Sequence, residues 1–216
     1  MDRGSEFWAP PAIWRGASVA VLGGGPSIRD LDLARIERLW RSGWKVIAIN
    51  SLGLFAPWAD LLYFQDNSWR ETHQELVEAW GGLAVTASRQ AKAALPDKVK
   101  RIAFDMRPDF PAPGSERIRY GRSSGHMAVS IAIAMGAARI VLFGFDMRQV
   151  GGRSHGHDDY AKIEEAAVYS NSFIPSFDGW DAAAKARGVE ILNATSGSAL
   201  AEFAGVTLEE LEAESR

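Results

Sequence analysis

Short apolar runs alternate along the chain with longer segments of helical character. The runs have the length of buried strands and lie at 19–22, 45–49, 59–64, 83–87, 101–105, 139–143 and 189–193. Helices are predicted between them, at about 33–42, 68–80, 124–135 and 172–187, with one more at the C-terminus. Strands that alternate with helices build a parallel sheet covered on both faces. The sequence therefore predicts an α/β, single-domain Rossmann-like fold with a mostly parallel sheet.

The chain of 216 residues has the length of one domain with a substantial core. We assign residues 18–216 to a nucleotide-binding domain and residues 1–17 to an N-terminal extension. The extension begins MDRGSEF, part of which has the sequence of a cloning junction.

A glycine-rich turn follows the first predicted strand, at Gly23, Gly24 and Gly25 before Pro26 and Ser27. Glycines let a backbone approach a phosphate closely, and the N–H groups of such a turn can bind the anion. A tight turn without a ligand is the alternative. The dinucleotide fingerprint is incomplete, because Ile28 stands where its third glycine is expected. The second strand also ends at Asn50 instead of the acid that holds a ribose, which favours a mononucleotide over NAD.

Polar residues follow several of the predicted strands or open the helix at 124. The carboxyl ends of parallel strands share one edge of a sheet, where ligands bind. These residues are therefore expected to converge on one site. The nucleotide-binding candidates are Gly23, Gly24, Gly25, Ser27, Asn50, Asp66, Asn67, Ser124, Gly125 and Asp146. Asp146 has two alternatives, orienting a ribose or binding a loop amide.

The stretch 147–160 is polar and glycine-rich, and we call it the lid segment. It contains His155 and His157, which are candidates for a general base, for metal ligands, or for residues of a solvated loop. Asp158 and Asp159 are candidate Mg²⁺ ligands on a phosphate, or the N-cap of the next helix. Arg153, with Arg148 and Arg122, is a candidate to neutralise a leaving phosphate.

The composition limits the classes of partner that the protein is expected to bind. The net charge of -3 gives no general attraction to nucleic acid or to anionic membranes. The absence of cysteine excludes disulfides and thiolate chemistry and suits a reducing cytoplasm. No apolar stretch reaches membrane-spanning length. A small-molecule nucleotide is therefore the expected partner, and a homo-oligomer is compatible with the sequence.

Several motifs together resemble those of the small bacterial sialyltransferases that use CMP-sialic acid, and of the related 6-hydroxymethylpterin diphosphokinase-like family. The motifs are GGGPSI, AINSLGLF, YFQDN, RSSGHMAVSIAIAMGAARIVLFGFDM and ILNATSGSAL, in this order over about residues 18–205. Similar proteins occur in bacteriophage genomes. The resemblance implies that Gly23, Gly25, Ser27 and Asn50 hold the nucleotide. It also implies that Asp66 or Asn67, and Ser124 with Gly125, line its site.

The resemblance further implies a catalytic base in the lid segment, at His155 or His157. The tyrosine pair of those enzymes has only Tyr160 and Tyr169 as candidates here. The first hypothesis is a transferase that uses a nucleotide-activated sugar. The alternatives are Mg²⁺-dependent transfer of pyrophosphate from ATP and a non-catalytic protein that sequesters a nucleotide.

Overall fold

A computed structural model describes residues 7–88, 95–105, 110–159 and 164–215. Its centre is a sheet of eight strands, all paired in parallel. In the order in which they lie across the sheet, the strands are β10 (Ala204–Gly205), β9 (Glu190–Asn193), β8 (Arg139–Phe143), β1 (Ser18–Leu22), β2 (Lys45–Ile49), β3 (Leu61–Phe64), β4 (Leu83–Thr86) and β5 (Val99–Arg101). A separate parallel pair joins β6 (Ala103–Asp105) to β7 (Arg117–Arg119). The predicted α/β fold is confirmed.

The α-helices are α1 (Leu33–Arg41), α2 (Leu52–Phe55), α3 (Asn67–Thr72), α4 (Gln74–Ala79), α5 (Ser124–Ala134), α6 (Ala166–Val168), α7 (Trp180–Lys185) and α8 (Leu208–Glu214). A π-helix at Tyr169–Phe173 and short 3₁₀ helices at Pro26–Arg29 and Pro175–Phe177 complete them. Within the described ranges, none of the helices has the length and apolar character needed to cross a bilayer.

The sheet has a core on each face because its strands point alternate side chains to opposite sides. Val19, Val21 and their equivalents on neighbouring strands pack with α5 and α7 on one face. Ala20, Leu22 and their equivalents pack with α1, α2, α4 and α8 on the other. Helix α5 is apolar all around and its residues from 126 to 134 are buried. It is therefore the central helix of its face, as its small-residue sequence suggests.

Three predicted boundaries differ from the structure. The helix predicted over 68–80 is two helices, which meet at His73, where the backbone leaves helical geometry. The helix predicted over 172–187 is the π-helix, a 3₁₀ turn and the short α7, because Pro175 and Gly179 interrupt it. The strand predicted over 101–105 is divided between two sheets at Ile102.

The described part of the N-terminal extension packs against the domain. Trp14 is buried, and its N–H donates to the carbonyl of Met135 at 2.8 Å. The N–H of Trp8 donates to Arg101, next to the sheet edge. Residues 1–6 lie outside the described ranges.

Candidate functional site

A cavity of about 600 Å³ opens at the carboxyl ends of β1, β2, β3 and β8, beside the N-terminus of α5. This is the edge at which ligands bind in parallel sheets, and the volume suits a nucleotide-sized molecule. Most of the predicted site residues line it: Gly23, Gly24, Gly25, Asn50, Asp66, Ser124, Gly125, Asp146, His155 and His157. Arg122, Arg148 and Tyr169 line it as well. The expected convergence of strand ends is therefore present.

The glycine turn fastens the end of β1 to the end of β8. The N–H groups of Gly23 and Gly25 donate to the carbonyls of Phe143 and Gly144, at 2.8 and 2.9 Å. A Cβ on Gly25 would lie 2.2 Å from the carboxylate of Asp146 and 2.5 Å from the Gly144 oxygen. The N–H groups of Gly23 and Gly25 therefore already have carbonyl partners, which an anion bound at either group would have to replace.

Asp146 holds the other side of the turn. Its carboxylate accepts from the Ser27 hydroxyl at 2.8 Å and from the Ser27 N–H at 3.1 and 3.2 Å. Burial raises the pKa of Asp146, although the two donors of Ser27 oppose the rise. Asp146 was expected either to orient a ribose or to bind a loop amide, and the structure shows its contact with the loop amide of Ser27. Ser27 does not line the cavity, because its side chain is turned to Asp146.

The N-terminus of α5 presents further N–H groups to the cavity. Ser123 is the N-cap, and its hydroxyl accepts from the N–H of His126 at 3.2 Å. The N–H groups of Ser124 and Gly125 belong to the first turn, where no earlier helical carbonyl exists to accept them. The helix dipole adds partial positive charge there. Gly125 is required for packing, since a Cβ would lie 2.7 Å from the ring of Phe145.

Asn50 occupies a backbone conformation that few residues adopt. Its φ is +50°, in the left-handed region, directly after β2. Its side-chain oxygen is buried in the cavity wall without a hydrogen-bond partner among the described residues. An unpaired buried acceptor costs free energy, which a ligand donor in the cavity would recover.

The two lid histidines lie together against the glycine turn. Their rings stack with centroids 5.5 Å apart, and the Nε2 of His157 lies 3.1 Å from the position that a Cβ on Gly24 would take. The ring of His155 forms a hydrogen bond with the backbone of Gly24. Burial lowers the pKa of both imidazoles. Both are therefore neutral at neutral pH, as a proton acceptor must be.

The remaining lid candidates lie outside the cavity. Asp158 is bound by Arg153 and lies 3.7 Å from Arg29. Asp159 is bound by Ser51 and by His73, at 2.8 Å from the latter's Nε2. Neither carboxylate lines the cavity, and Arg153 does not line it either. Across the described ranges, no three His, Cys, Asp or Glu side chains are grouped to hold a metal ion.

The lid segment is a folded structure as far as residue 159. Val150 and Arg153 exchange two backbone hydrogen bonds of 3.0 Å around Gly151 and Gly152. Both glycines have positive φ, as a two-residue hairpin turn requires. Tyr160 lies outside the described residues. Tyr169 lines the cavity and forms a hydrogen bond with the lid residue Ser154.

Three further polar residues have roles in packing. Asn67 does not line the cavity, and its side-chain oxygen accepts from Ser88 at 3.0 Å. His126 is fully buried, with ring centroids 4.2 Å from Trp180 and 5.0 Å from Phe177. It is therefore a core residue and not a ligand contact. Sequence reasoning missed His73, whose partner Asp159 is 86 residues away and leaves no local signal.

Comparison with known proteins supports the fold. No protein-family model matches the chain, and no curated protein matches it. A similar solved structure is the MAf glycosyltransferase from Magnetospirillum magneticum AMB-1, with a TM-score of 0.62 and 16% sequence identity. The match covers 97% of this chain and 38% of that protein. The two proteins share a Rossmann-like α/β fold, and this chain spans well under half the length of the larger protein.

Proposed function

We propose that this protein is a nucleotide-dependent transferase that takes a sugar from a nucleotide-activated donor. The observation that carries the proposal is that one cavity is lined both by two neutral imidazoles and by the N-terminus of a buried helix. Such a helix end binds the phosphate of a nucleotide, and an imidazole removes a proton from an acceptor hydroxyl. The glycosyltransferase identity of the structural neighbour supports the same class of reaction.

The proposed donor is a CMP-activated sugar, in line with the sialyltransferase-like motifs of the sequence. Its phosphate would bind the N–H groups of Ser124 and Gly125, with Arg122 beside them. Asn50 would accept a hydrogen bond from a hydroxyl or amino group of the nucleoside, because its buried oxygen lacks a protein donor. Arg148 is the second cation on the cavity wall.

The proposed reaction is direct displacement at the anomeric carbon. His155 takes the proton of the acceptor hydroxyl while the hydroxyl oxygen forms a bond to the anomeric carbon. The bond to the donor phosphate breaks, and the electron pair leaves with the phosphate oxygen. The hydrogen bond to the Gly24 backbone favours His155 as the base. One ring nitrogen donates its N–H to Gly24, which leaves the other nitrogen without a proton and able to accept one from the hydroxyl. The new negative charge is stabilised by the α5 N-terminus and Arg122.

Two alternatives have less support. Transfer of pyrophosphate from ATP requires Mg²⁺, and the carboxylates predicted to hold it, Asp158 and Asp159, are bound by protein groups outside the cavity. A protein that only sequesters a nucleotide would use the same helix N-terminus, but it would not need the paired imidazoles.

The test begins with thermal shift against CMP, UDP, GDP, ADP and ATP, with and without Mg²⁺, since stabilisation follows affinity. Turnover with the matching activated sugars is then compared for the wild type, His155→Ala and His157→Ala. We expect stabilisation by CMP without Mg²⁺ and a loss of turnover of roughly 10²–10⁴-fold in His155→Ala, the typical effect of losing a positioned base. Nucleotide affinity should change only several-fold. A wild type that binds a nucleotide but turns over no activated sugar would refute the proposal and favour sequestration.

A further inference from the structure

A network of four side chains holds the far end of the lid segment. Nε2 of His73 lies 2.8 Å from the carboxylate of Asp159, and the hydroxyl of Ser51 donates to the same carboxylate. Ser51 in turn accepts from the indole N–H of Trp69 at 2.8 Å. The rings of Trp69 and His73 pack with centroids 4.7 Å apart. The network therefore joins the lid segment to α3 and to the residue that precedes α2.

These residue types are those of a Ser-His-Asp triad, but their order differs from that of a nucleophilic site. In a triad the imidazole contacts the hydroxyl and the carboxylate contacts the imidazole. Here the carboxylate of Asp159 stands between Ser51 and His73, and Ser51 is fully buried. The hydroxyl is therefore not activated as a nucleophile, and the network holds the lid in place.

A second contact holds the lid on the other side of His157. The N–H of Gly156 donates to the carbonyl of Gly24 at 3.0 Å. Gly156 fits tightly, because a Cβ there would lie 2.4 Å from Ile28 and 2.8 Å from the Gly25 oxygen. His157 is thus fixed between the backbone contact at Gly156 and the hydrogen bonds that Asp159 makes with Ser51 and His73, which we call the Asp159 anchor.

We propose that His73 is a positioning residue that acts through Asp159 to hold the paired imidazoles of His155 and His157 against the glycine turn. The inference rests on the proposed function, in which these imidazoles face the reacting groups. His73 does not line the cavity. Its effect arises because Asp159 is two residues from His157, and a small displacement of a base costs much of its catalytic effect.

The hydrogen bonds of the Asp159 anchor are charge-assisted. Burial raises the pKa of Asp159, but the hydrogen bond from Ser51 and the contacts with His73 outweigh it and lower the pKa. The carboxylate is therefore ionised at neutral pH and accepts from both donors. Hydrogen bonds to an ionised group are stronger than those between neutral groups.

The test compares three variants. His73→Phe keeps a ring against Trp69 but loses the hydrogen bond to Asp159, whereas His73→Gln keeps an N–H donor. Gln74→Ala is the matched control, because its exposed side chain contacts Glu78 on the same helix and not the lid. The first readout is amide hydrogen exchange of residues 147–159 without ligand. We expect exchange about tenfold faster in His73→Phe, the scale of one lost charge-assisted bond. His73→Gln and Gln74→Ala should remain within about threefold of the wild type.

The second readout is turnover with the donor identified by thermal shift. We expect kcat to fall about tenfold in His73→Phe, with nucleotide Kd within about threefold, and to recover in His73→Gln. Unchanged exchange in His73→Phe, or equal exchange in the Phe and Gln variants, would overturn the proposal. A wild type without turnover would refute the proposed function, while the exchange data would still decide whether His73 anchors the lid.

Discussion

Acid should destabilise this protein through His126, at the start of α5. The imidazole is fully buried between Trp180 and Phe177. Burial, with the nearby charge of Arg119 acting in the same direction, lowers its pKa from 6.5 to about 3. The folded state therefore keeps His126 neutral, whereas the unfolded chain takes up a proton below pH 6.5. Stability from this residue is present above pH 6.5 and is lost as the pH falls toward 3.

The magnitude follows from the two pKa values, 6.5 unfolded and about 3 folded. At pH 5 the unfolded state is favoured by a factor of about 30 relative to pH 7.5, which is about 2 kcal/mol. The largest loss, reached below pH 3, is about 5 kcal/mol. His155 and His157 act in the same direction, because burial lowers their pKa as well. A substitution is therefore needed to isolate the contribution of His126.

The assay is urea denaturation followed by tryptophan fluorescence at pH 7.5 and pH 5, for the wild type and for His126→Leu. Leucine removes the titrating group and keeps the site apolar. We expect the wild type to lose about 2 kcal/mol more free energy of unfolding between the two pH values than the variant does. An equal loss in both proteins would show that His126 is protonated in the folded state, and the account of its burial would be wrong.

Two further predictions concern the turn and the lid. Gly156→Ala should displace the lid segment, because the new Cβ would meet Ile28 and the Gly25 oxygen. Amide hydrogen exchange of residues 147–159 should then become about tenfold faster. Gly81→Ala is the control: open space surrounds its Cβ, so that exchange should remain unchanged. Asp146→Asn should lower the free energy of unfolding by about 1–3 kcal/mol in urea denaturation, because the Ser27 hydroxyl and N–H share its carboxylate. A stability equal to that of the wild type would show that this contact does not hold the turn.

The sequence predicted the sheet well where strands are long and buried on both faces. β1, β2 and β8 are five-residue strands whose last four residues are apolar, and they form the centre of the sheet. β7 and β10 were missed, because strands of three and two residues carry too little pattern to distinguish them from loops. One helix is predicted over 172–187, since the apolar spacing does not reveal a π-helix, which depends on tertiary packing.

The candidate site was predictable to the extent that it lies at strand ends. Residues such as Asn50 and Asp66 follow apolar runs within two residues, and the topology of a parallel sheet then brings them together. The contacts between distant segments were not predictable. Asp159 meets Ser51 and His73 across 108 and 86 residues, and nothing in the local sequence of either segment indicates the other.

The glycine turn explains why ligand recognition is proposed at α5. In a doubly wound sheet, a dinucleotide lies in the crevice where the strand order reverses, with its pyrophosphate on the first turn. In this protein the crevice falls between β1 and β8. Two hydrogen bonds bridge it, from the N–H of Gly25 to the carbonyl of Gly144 and from the hydroxyl of Ser27 to the carboxylate of Asp146. An anion at the N–H groups of Gly23, Gly25 or Ser27 would have to displace bonds that hold two strands together. The N–H groups at the start of α5 require no such displacement, because a helix leaves its first donors without internal acceptors. A phosphate in this cavity is therefore expected to bind the start of α5, and NAD is expected to bind poorly.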